Sequence, residues 1–393
     1  MKKRHIVIFA IILVLTNILT GVSIFGYILS GNSLIARTAK QRALEKFVKS
    51  KYLYDTTDED LYIGSLKGIV KGLKDPYSEY YTKEEFEKLM EMTTGVFFGI
   101  GVEVTAGSDG MITVVSPIKG GPADKMGVKA GDKIIKVEGQ DFTADELQDA
   151  VKVMRGEKGT PVKVTFYRPG AKDKDTFDLS IVRDEVHTKT VVKDKIDGYG
   201  YIGISNFDEG TGKDFLDAVK ELEAENVKGY ILDLRGNPGG IVQGAVEVCN
   251  VFIREGNIVS ASTKNGTSLF NYDAKPGDFH TDKNLVVLIN GASASASEIV
   301  SGALKDHERA TLIGTKTFGK GIVQQTFPFG DGDGIKITTA QYFTPKGKNI
   351  HKKGIEPDIN LPLPQDTKGI GIKFYKEDLQ LQKAVEVLNK KIK

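Results

Sequence analysis

Leu285-Val-Val-Leu-Ile-Asn-Gly-Ala-Ser-Ala-Ser-Ala-Ser-Glu298 leads directly into Ile299-Val-Ser-Gly-Ala-Leu304. A short apolar run, a turn of very small residues and a helix-compatible segment predict a buried strand, a tight bend and a helix. A hydroxyl on such a bend sits at the strand's carboxyl end, where the first N–H groups of the helix are also exposed. Three serines there, Ser293, Ser295 and Ser297, qualify by residue type, and composition does not choose among them. Gly314-Thr-Lys-Thr-Phe-Gly-Lys-Gly-Ile-Val-Gln-Gln325 supplies a second turn, with Lys320 lying 25 residues after Ser295. A glycine on each side lets backbone pack close to the Lys320 ammonium and strip it of water. A desolvated lysine loses its charge more easily and can then act as a general base. A hydroxyl and a neutral lysine form a nucleophile–base pair without histidine. The ordinary lysine pKa is about 10.4, so burial has to lower it for work near neutrality.

Around these turns the chain reads as alternating strands and helices. Gly200-Tyr-Ile-Gly-Ile204 and Gly229-Tyr-Ile-Leu-Asp-Leu234 predict strands flanking a helix over 212–225. Thr311-Leu-Ile-Gly314, Ile322 to Phe327 and Ile335 to Phe343 predict further strands, the last two joined by the Gly-Asp-Gly-Asp-Gly turn at 330–334. Arg235-Gly-Asn-Pro-Gly-Gly240 predicts a glycine turn entering a helix over 241–252. Its last two glycines leave room for a carbonyl oxygen. With the amide of Ala296, an N–H of Gly239 or Gly240 would complete an oxyanion site; the plain alternative is a glycine-rich helix entry.

Upstream, 96–185 alternates in the manner of strands, with Thr143-Ala-Asp-Glu146 as a capping box for a helix through Met154. Residues 34–92 carry amphipathic helical patterns, and 376–391 one more. Arg155, at the end of the helix through Met154, fits equally a solvated surface and a link toward the serine.

Composition removes several function classes. There are 54 basic and 52 acidic residues, so no basic excess suits nucleic acid, and the five histidines are scattered without metal-ligand spacing. His187, His280, His307 and His351 fall in no motif tied to Ser295. No cofactor motif is present. The one cysteine, Cys249, lies in an apolar run and reads as packing. Residues 6–30 contain no charge and are mostly aliphatic, long enough to cross a bilayer, and Lys2, Lys3 and Arg4 precede them. The positive-inside rule then leaves the remainder outside the cytoplasm. A single-pass anchor in the cell membrane is the expectation; a cleaved signal peptide is the alternative.

The chain resembles the bacterial carboxyl-terminal processing proteases, serine peptidases of the S41 family with a Ser–Lys dyad and an embedded PDZ domain. Asp75-Pro-Tyr-Ser-Glu-Tyr80, Gly120-Gly-Pro-Ala-Asp-Lys-Met-Gly-Val-Lys-Ala-Gly-Asp132, Asp233-Leu-Arg-Gly-Asn-Pro-Gly-Gly240, Ser293 to Glu298 and Thr317-Phe-Gly-Lys-Gly321 carry the resemblance in order. It implies an α/β multidomain chain: a crotonase-like protease core over 186–364, a PDZ domain over 96–185, a helical region over 34–92 that often pairs protomers, and a helical end over 365–393. It selects Ser295 as nucleophile and Lys320 as base, and makes Gln324 the residue that orients the amine, with Gln325 as competitor. Phe98-Gly-Ile-Gly101 becomes the loop that holds the terminal carboxylate of a peptide added as a strand. Partners would be proteins or peptides with exposed C-termini, the membrane, and a second copy in a homodimer. A non-catalytic PDZ scaffold would explain 96–185 alone. A crotonase-like acyl-CoA enzyme would share the oxyanion logic but fits an external location badly.

Overall fold

The computed structural model describes residues 3–29, 33–170, 175–275, 277 and 279–391. The chain divides into two compact units, Met1–Thr82 and Lys83–Lys393. The first unit holds the helices Lys3–Leu29, Leu34–Lys51 and Asp58–Lys71 and the short strand Glu79–Tyr81. Thr57 and Asp60 cap the third helix reciprocally: the Thr57 hydroxyl accepts the Asp60 N–H at 3.0 Å, and Oδ2 of Asp60 accepts the Thr57 N–H at 2.9 Å. Among the described residues no helix is long and apolar enough to cross a membrane. The expected span, 6–30, includes side chains at 6, 7, 10 and 25–30 outside the described ones, and in Lys3–Leu29 they run unbroken only over 11–24.

In the second unit a six-stranded sheet forms the core, in the order Val191–Ile196, Tyr199–Ile204, Gly229–Asp233, Asn284–Ile289, Thr311–Gly314 and Ile359–Asn360. Only the first pairing is antiparallel; the other four are parallel. Parallel strands are covered on both faces, which is why Leu285 to Ile289 reads as an unbroken apolar run. Helices Thr211–Ala224, Val242–Asn250 and Ala296–Asp306 contribute to the core on one face through Phe215, Val219, Val248 and Ile299. Helix Leu379–Lys391 closes the other with Leu381, Ala384 and Leu388. The strand pair Asn257–Thr263 and Ser268–Asp273, absent from the sequence reading, joins Gly334–Phe343, which pairs Ile322–Pro328. Only Ile258, Val259 and Ala261 of this pair are buried, interspersed with polar residues, so no unbroken apolar run like that of the central strands marks it.

A smaller β-rich body precedes this core. Its strands run in the order Val102–Ala106, Ile112–Pro117, Lys133–Val137, Pro161–Tyr167 and Thr176–Val182, around Ile112, Val114, Ile134, Val164 and Phe166. The Thr143–Glu146 capping box is present, but it opens a single 3₁₀ turn before the helix Leu147–Met154. Val102–Ala106 ends the sheet order, so one row of its backbone groups faces no strand of this sheet.

Candidate active site

The register places the two glycine-rich turns side by side. Asp233 stands opposite Leu288 in neighbouring parallel strands, Leu234 N–H donates to the Leu288 carbonyl at 2.9 Å, and Ala294 N–H donates to the Asn237 carbonyl at 3.0 Å. Both turns therefore lie at the carboxyl ends of the central strands, where crevices of open α/β sheets form. A cavity of about 670 Å³ opens there, and Ser295, Lys320, Gln324, Gly240 and Tyr342 all line it. Leu89, Met92, Phe207, Ile241, Ile299 and Val323 give it an apolar wall.

The three serines separate by environment. Ser293 is fully buried and donates to the Leu234 carbonyl at 2.8 Å; Ser297 is fully buried and donates to the Asn237 carbonyl at 3.0 Å. Both hydroxyls are spent on holding the 234–237 turn. Ser295 alone of the three borders the cavity. It caps helix Ala296–Asp306 with φ 52° and ψ −112°, a region that side chains other than glycine rarely occupy. Such strain costs about 1–3 kcal/mol and persists where the surroundings over-determine it.

Lys320 is half-buried, and the glycines beside it admit backbone at short range. A Cβ on Gly319 would lie 2.9 Å from the Gly354 nitrogen, and one on Gly321 would lie 2.5 Å from the His351 nitrogen. Gln324 borders the cavity and donates to the Thr338 hydroxyl at 3.2 Å, whereas Gln325 does not line it. A register shift between Val323 and Gln324 sets this facing.

The two glycines after Pro238 differ in the use of their N–H groups. Gly239 donates to Oδ1 of Asn237 at 2.8 Å, while the N–H groups of Gly240 and Ala296 meet no acceptor among the described residues. Gly239 instead provides clearance: a Cβ there would lie 2.7 Å from both the Ala294 oxygen and the Ser295 Cβ, and 2.9 Å from the Ala296 nitrogen.

The sequence reading missed what holds the first turn. Arg235, with a side chain fully removed from solvent, donates to Asp233 through Nε at 2.9 Å and Nη2 at 2.6 Å. It also reaches Asp378 through Nη1 at 2.8 Å and Nη2 at 2.7 Å, and Gln380 at 2.9 Å. Burial alone would raise the Asp378 carboxyl, but the guanidinium outweighs it and holds the group below its ordinary range. Cys249 is fully buried, and burial pushes its thiol up. None of the histidines lines the cavity.

In the β-rich body, the carbonyls of Phe98, Ile100 and Gly101 accept from Gly156, Ala123 and Ile118, while the N–H groups of Ile100 and Gly101 meet no acceptor among the described residues. Gly99 ends a strand paired with Asp184–His187, and a Cβ on it would lie 3.7 Å from Cγ of Arg155. Arg155 stacks 4.8 Å from the Phe97 ring centroid and pairs with Glu91 at 2.5 Å. Glu91 belongs to helix Lys83–Thr94 and itself borders the cavity of Ser295.

The chain thus joins an α/β core, whose Ser295 sits on a strained turn at a cavity it shares with Lys320, to a separate β-rich body. Comparison with known proteins assigns both parts. Peptidase family S41 matches residues 198–361, and a PDZ domain matches 113–168. The carboxy-terminal-processing protease of Bartonella bacilliformis is 42% identical over 340 residues, covering 85% of this chain and 77% of that protein. The carboxy-terminal processing protease CtpA of Bacillus subtilis is 39% identical over 377 residues, covering 93% and 79%. Among solved structures, the photosystem II D1 C-terminal processing protease is 30% identical with a TM-score of 0.47, covering 83% of this chain and 88% of that one. The chain belongs to the carboxy-terminal processing serine proteases of family S41, and its fold is the crotonase-like core with a PDZ domain.

Proposed function

We propose that the chain cuts protein substrates near their C-termini through an acyl-enzyme formed on Ser295, with Lys320 as the base. One observation carries the reading: Ser295 and Lys320 face a common cavity, while the hydroxyls of Ser293 and Ser297 are buried in structural hydrogen bonds. The neutral Lys320 amine takes the Ser295 proton as Oγ bonds to the scissile carbonyl carbon. The N–H groups of Ala296 and Gly240 receive the oxyanion, with Gly239 keeping the approach clear. The Lys320 ammonium then protonates the departing amine as the C–N bond breaks, and water releases the acyl group. Gln324 orients the amine from the cavity wall.

The PDZ domain would hold the tail. Its free edge at Val102–Ala106 suits an added strand, and the N–H groups of Ile100 and Gly101 suit a terminal carboxylate, with Arg155 adding positive charge beside Gly99. The uncharged run at 6–30 behind Lys2, Lys3 and Arg4 supports a membrane anchor with the catalytic part outside the cytoplasm. Exposed Leu44 and Phe47 on Leu34–Lys51, a helix with no buried residue, support pairing of two copies there.

Ser295→Ala and Lys320→Ala should each abolish cleavage of a protein with an unfolded apolar C-terminus, measured by loss of the intact band and mass of the products. Cleavage at the full rate by either variant would refute the dyad. The rate should climb with pH as Lys320 gives up its proton; a profile governed only by a histidine-range group would also refute it.

A further inference from the structure

Ser295 and Lys320 come from separate turns, and two buried side chains tie those turns together at the backbone. Glu298 is fully buried and accepts the Ser295 N–H at 2.9 Å and the Lys320 N–H at 2.8 Å, both on Oε2. Its Oε1 takes the Gly319 N–H at 2.8 Å and the Thr317 hydroxyl at 2.6 Å. Tyr342 is 2% exposed, and its hydroxyl lies 2.5 Å from the Lys320 carbonyl and 3.2 Å from the Ser295 carbonyl. The two N–H groups thus share one acceptor, and the single Tyr342 hydroxyl lies between the two carbonyls; that of Ser295 also accepts the N–H groups of Glu298 at 2.8 Å and Ile299 at 3.0 Å.

We propose that Glu298 and Tyr342 form a single clamp that fixes the spacing of Ser295 and Lys320. Both are positioning residues, and the inference rests on the dyad reading above. A glutamate three residues into a helix commonly accepts the N-cap N–H, which alone would be ordinary capping. Here the same oxygen also takes an N–H from the lysine turn, 22 residues away, which capping does not require. Tyr342 comes from the far strand Gly334–Phe343 and closes the opposite side. The strained Ser295 is held at its N–H by Glu298 and at its carbonyl by the helix N–H groups of Glu298 and Ile299, while Glu298 and Tyr342 add the ties from Ser295 to the Lys320 backbone. Burial, with the charge of Glu298 beside it, pushes the Tyr342 hydroxyl well up, so it remains a donor through the working range.

The test uses the full chain carrying Tyr342→Phe, Glu298→Gln and both together, with Ser295→Ala and Lys320→Ala as references. Tyr342→Phe keeps the ring and removes only the shared donor. Misplacement of reacting groups by about 1 Å costs on the order of 100-fold in rate, so a loosened clamp should lower kcat by roughly 10–100-fold. The affinity of the PDZ domain for a carboxylate-ended peptide should stay within about twofold, since neither group touches that site. Labelling of Ser295 by a fluorophosphonate should slow in parallel. In Glu298→Gln the amide presents a donor to N–H groups and kcat should fall further; the double variant should be little worse than that single, because two halves of one device are not additive. A Tyr342→Phe enzyme with kcat within twofold of the parent would overturn the clamp, as would losses confined to KM or losses that multiply in the double variant. Should Glu298→Gln not fold, Tyr342→Phe decides alone. Full activity in Ser295→Ala or Lys320→Ala would instead sink the dyad, an outcome separable from failure of the clamp.

Discussion

Replacing Asp378 by Asn probes how the C-terminal segment supports the active-site turn. Oδ1 of Asp378 accepts from Nη1 of Arg235 at 2.8 Å and the Leu381 N–H at 3.0 Å; Oδ2 accepts from Nη2 at 2.7 Å and the Gly371 N–H at 2.8 Å. An asparagine retains one oxygen, so whichever way the amide turns, two of these donors face an NH₂ group. The Arg235 guanidinium also loses one of its two buried counter-charges, Asp233 being the other. Breaking a buried pair by removing one partner costs about 3–5 kcal/mol. At about 2 °C per kcal/mol for a large domain, the Tm should fall by roughly 6–10 °C. Calorimetry or thermal circular dichroism reads this directly. The pH dependence carries the sign: the Asp378 carboxyl lies below its ordinary 3.8, so its contribution is complete above that value and fades as pH drops through the lower folded pKa. The gap in Tm between parent and variant should therefore narrow in acid. A Tm loss under about 2 °C, or a gap that widens toward low pH, would refute the network as a support.

Gly239→Ala should lower kcat/KM by at least about 100-fold, because the added methyl meets the Ser295 Cβ and the Ala296 nitrogen and one lost oxyanion donor alone is worth that much; peptide binding by the PDZ domain should be unchanged. A variant within tenfold of the parent would place the oxyanion elsewhere. Arg155→Ala should weaken a carboxylate-ended peptide about tenfold and leave its amidated twin unaffected in fluorescence anisotropy, since a charge-assisted hydrogen bond is worth about 1.5–3 kcal/mol. Its pair with Glu91 is half-exposed, so the Tm should move by less than about 2 °C. Cys249 should resist iodoacetamide in the native protein and react once urea unfolds it; native labelling at an unfolded-like rate would contradict its burial.

What the sequence displayed and what it concealed divide along the range of the interactions. Leu285 to Ile289, the tiny-residue bend and the helix after it were readable because each is set by residues adjacent in the chain. The same holds for the Thr143 capping box, whose partners lie three residues apart. The glycines flanking Lys320 announced close packing, but not that 350–354 would supply the packed backbone. Choosing among Ser293, Ser295 and Ser297 required the partner turn, since only its carbonyls reveal which hydroxyls are already engaged. The choice between Gly239 and Gly240 depended on Asn237 folding back on the first of them.

The concealed parts share a chemical character. Glu298 reads locally as a helix cap and Tyr342 as a strand aromatic, and Arg235 reads as a charged turn residue. Each is nonetheless buried, with partners distant in sequence: Arg235 bonds Asp378, 143 residues on, and Tyr342 bonds the carbonyl of Ser295, 47 residues back. A buried charge or hydroxyl without a partner would cost several kcal/mol, so each such residue obliges the fold to deliver a complementary group. Polar residues inside apolar periodicity are consequently the sequence's only trace of these long-range ties. Glu298, followed by Ile299-Val-Ser-Gly-Ala-Leu304 on a helix that is buried throughout 296–304, was that trace, and its partner turned out to be the lysine turn itself.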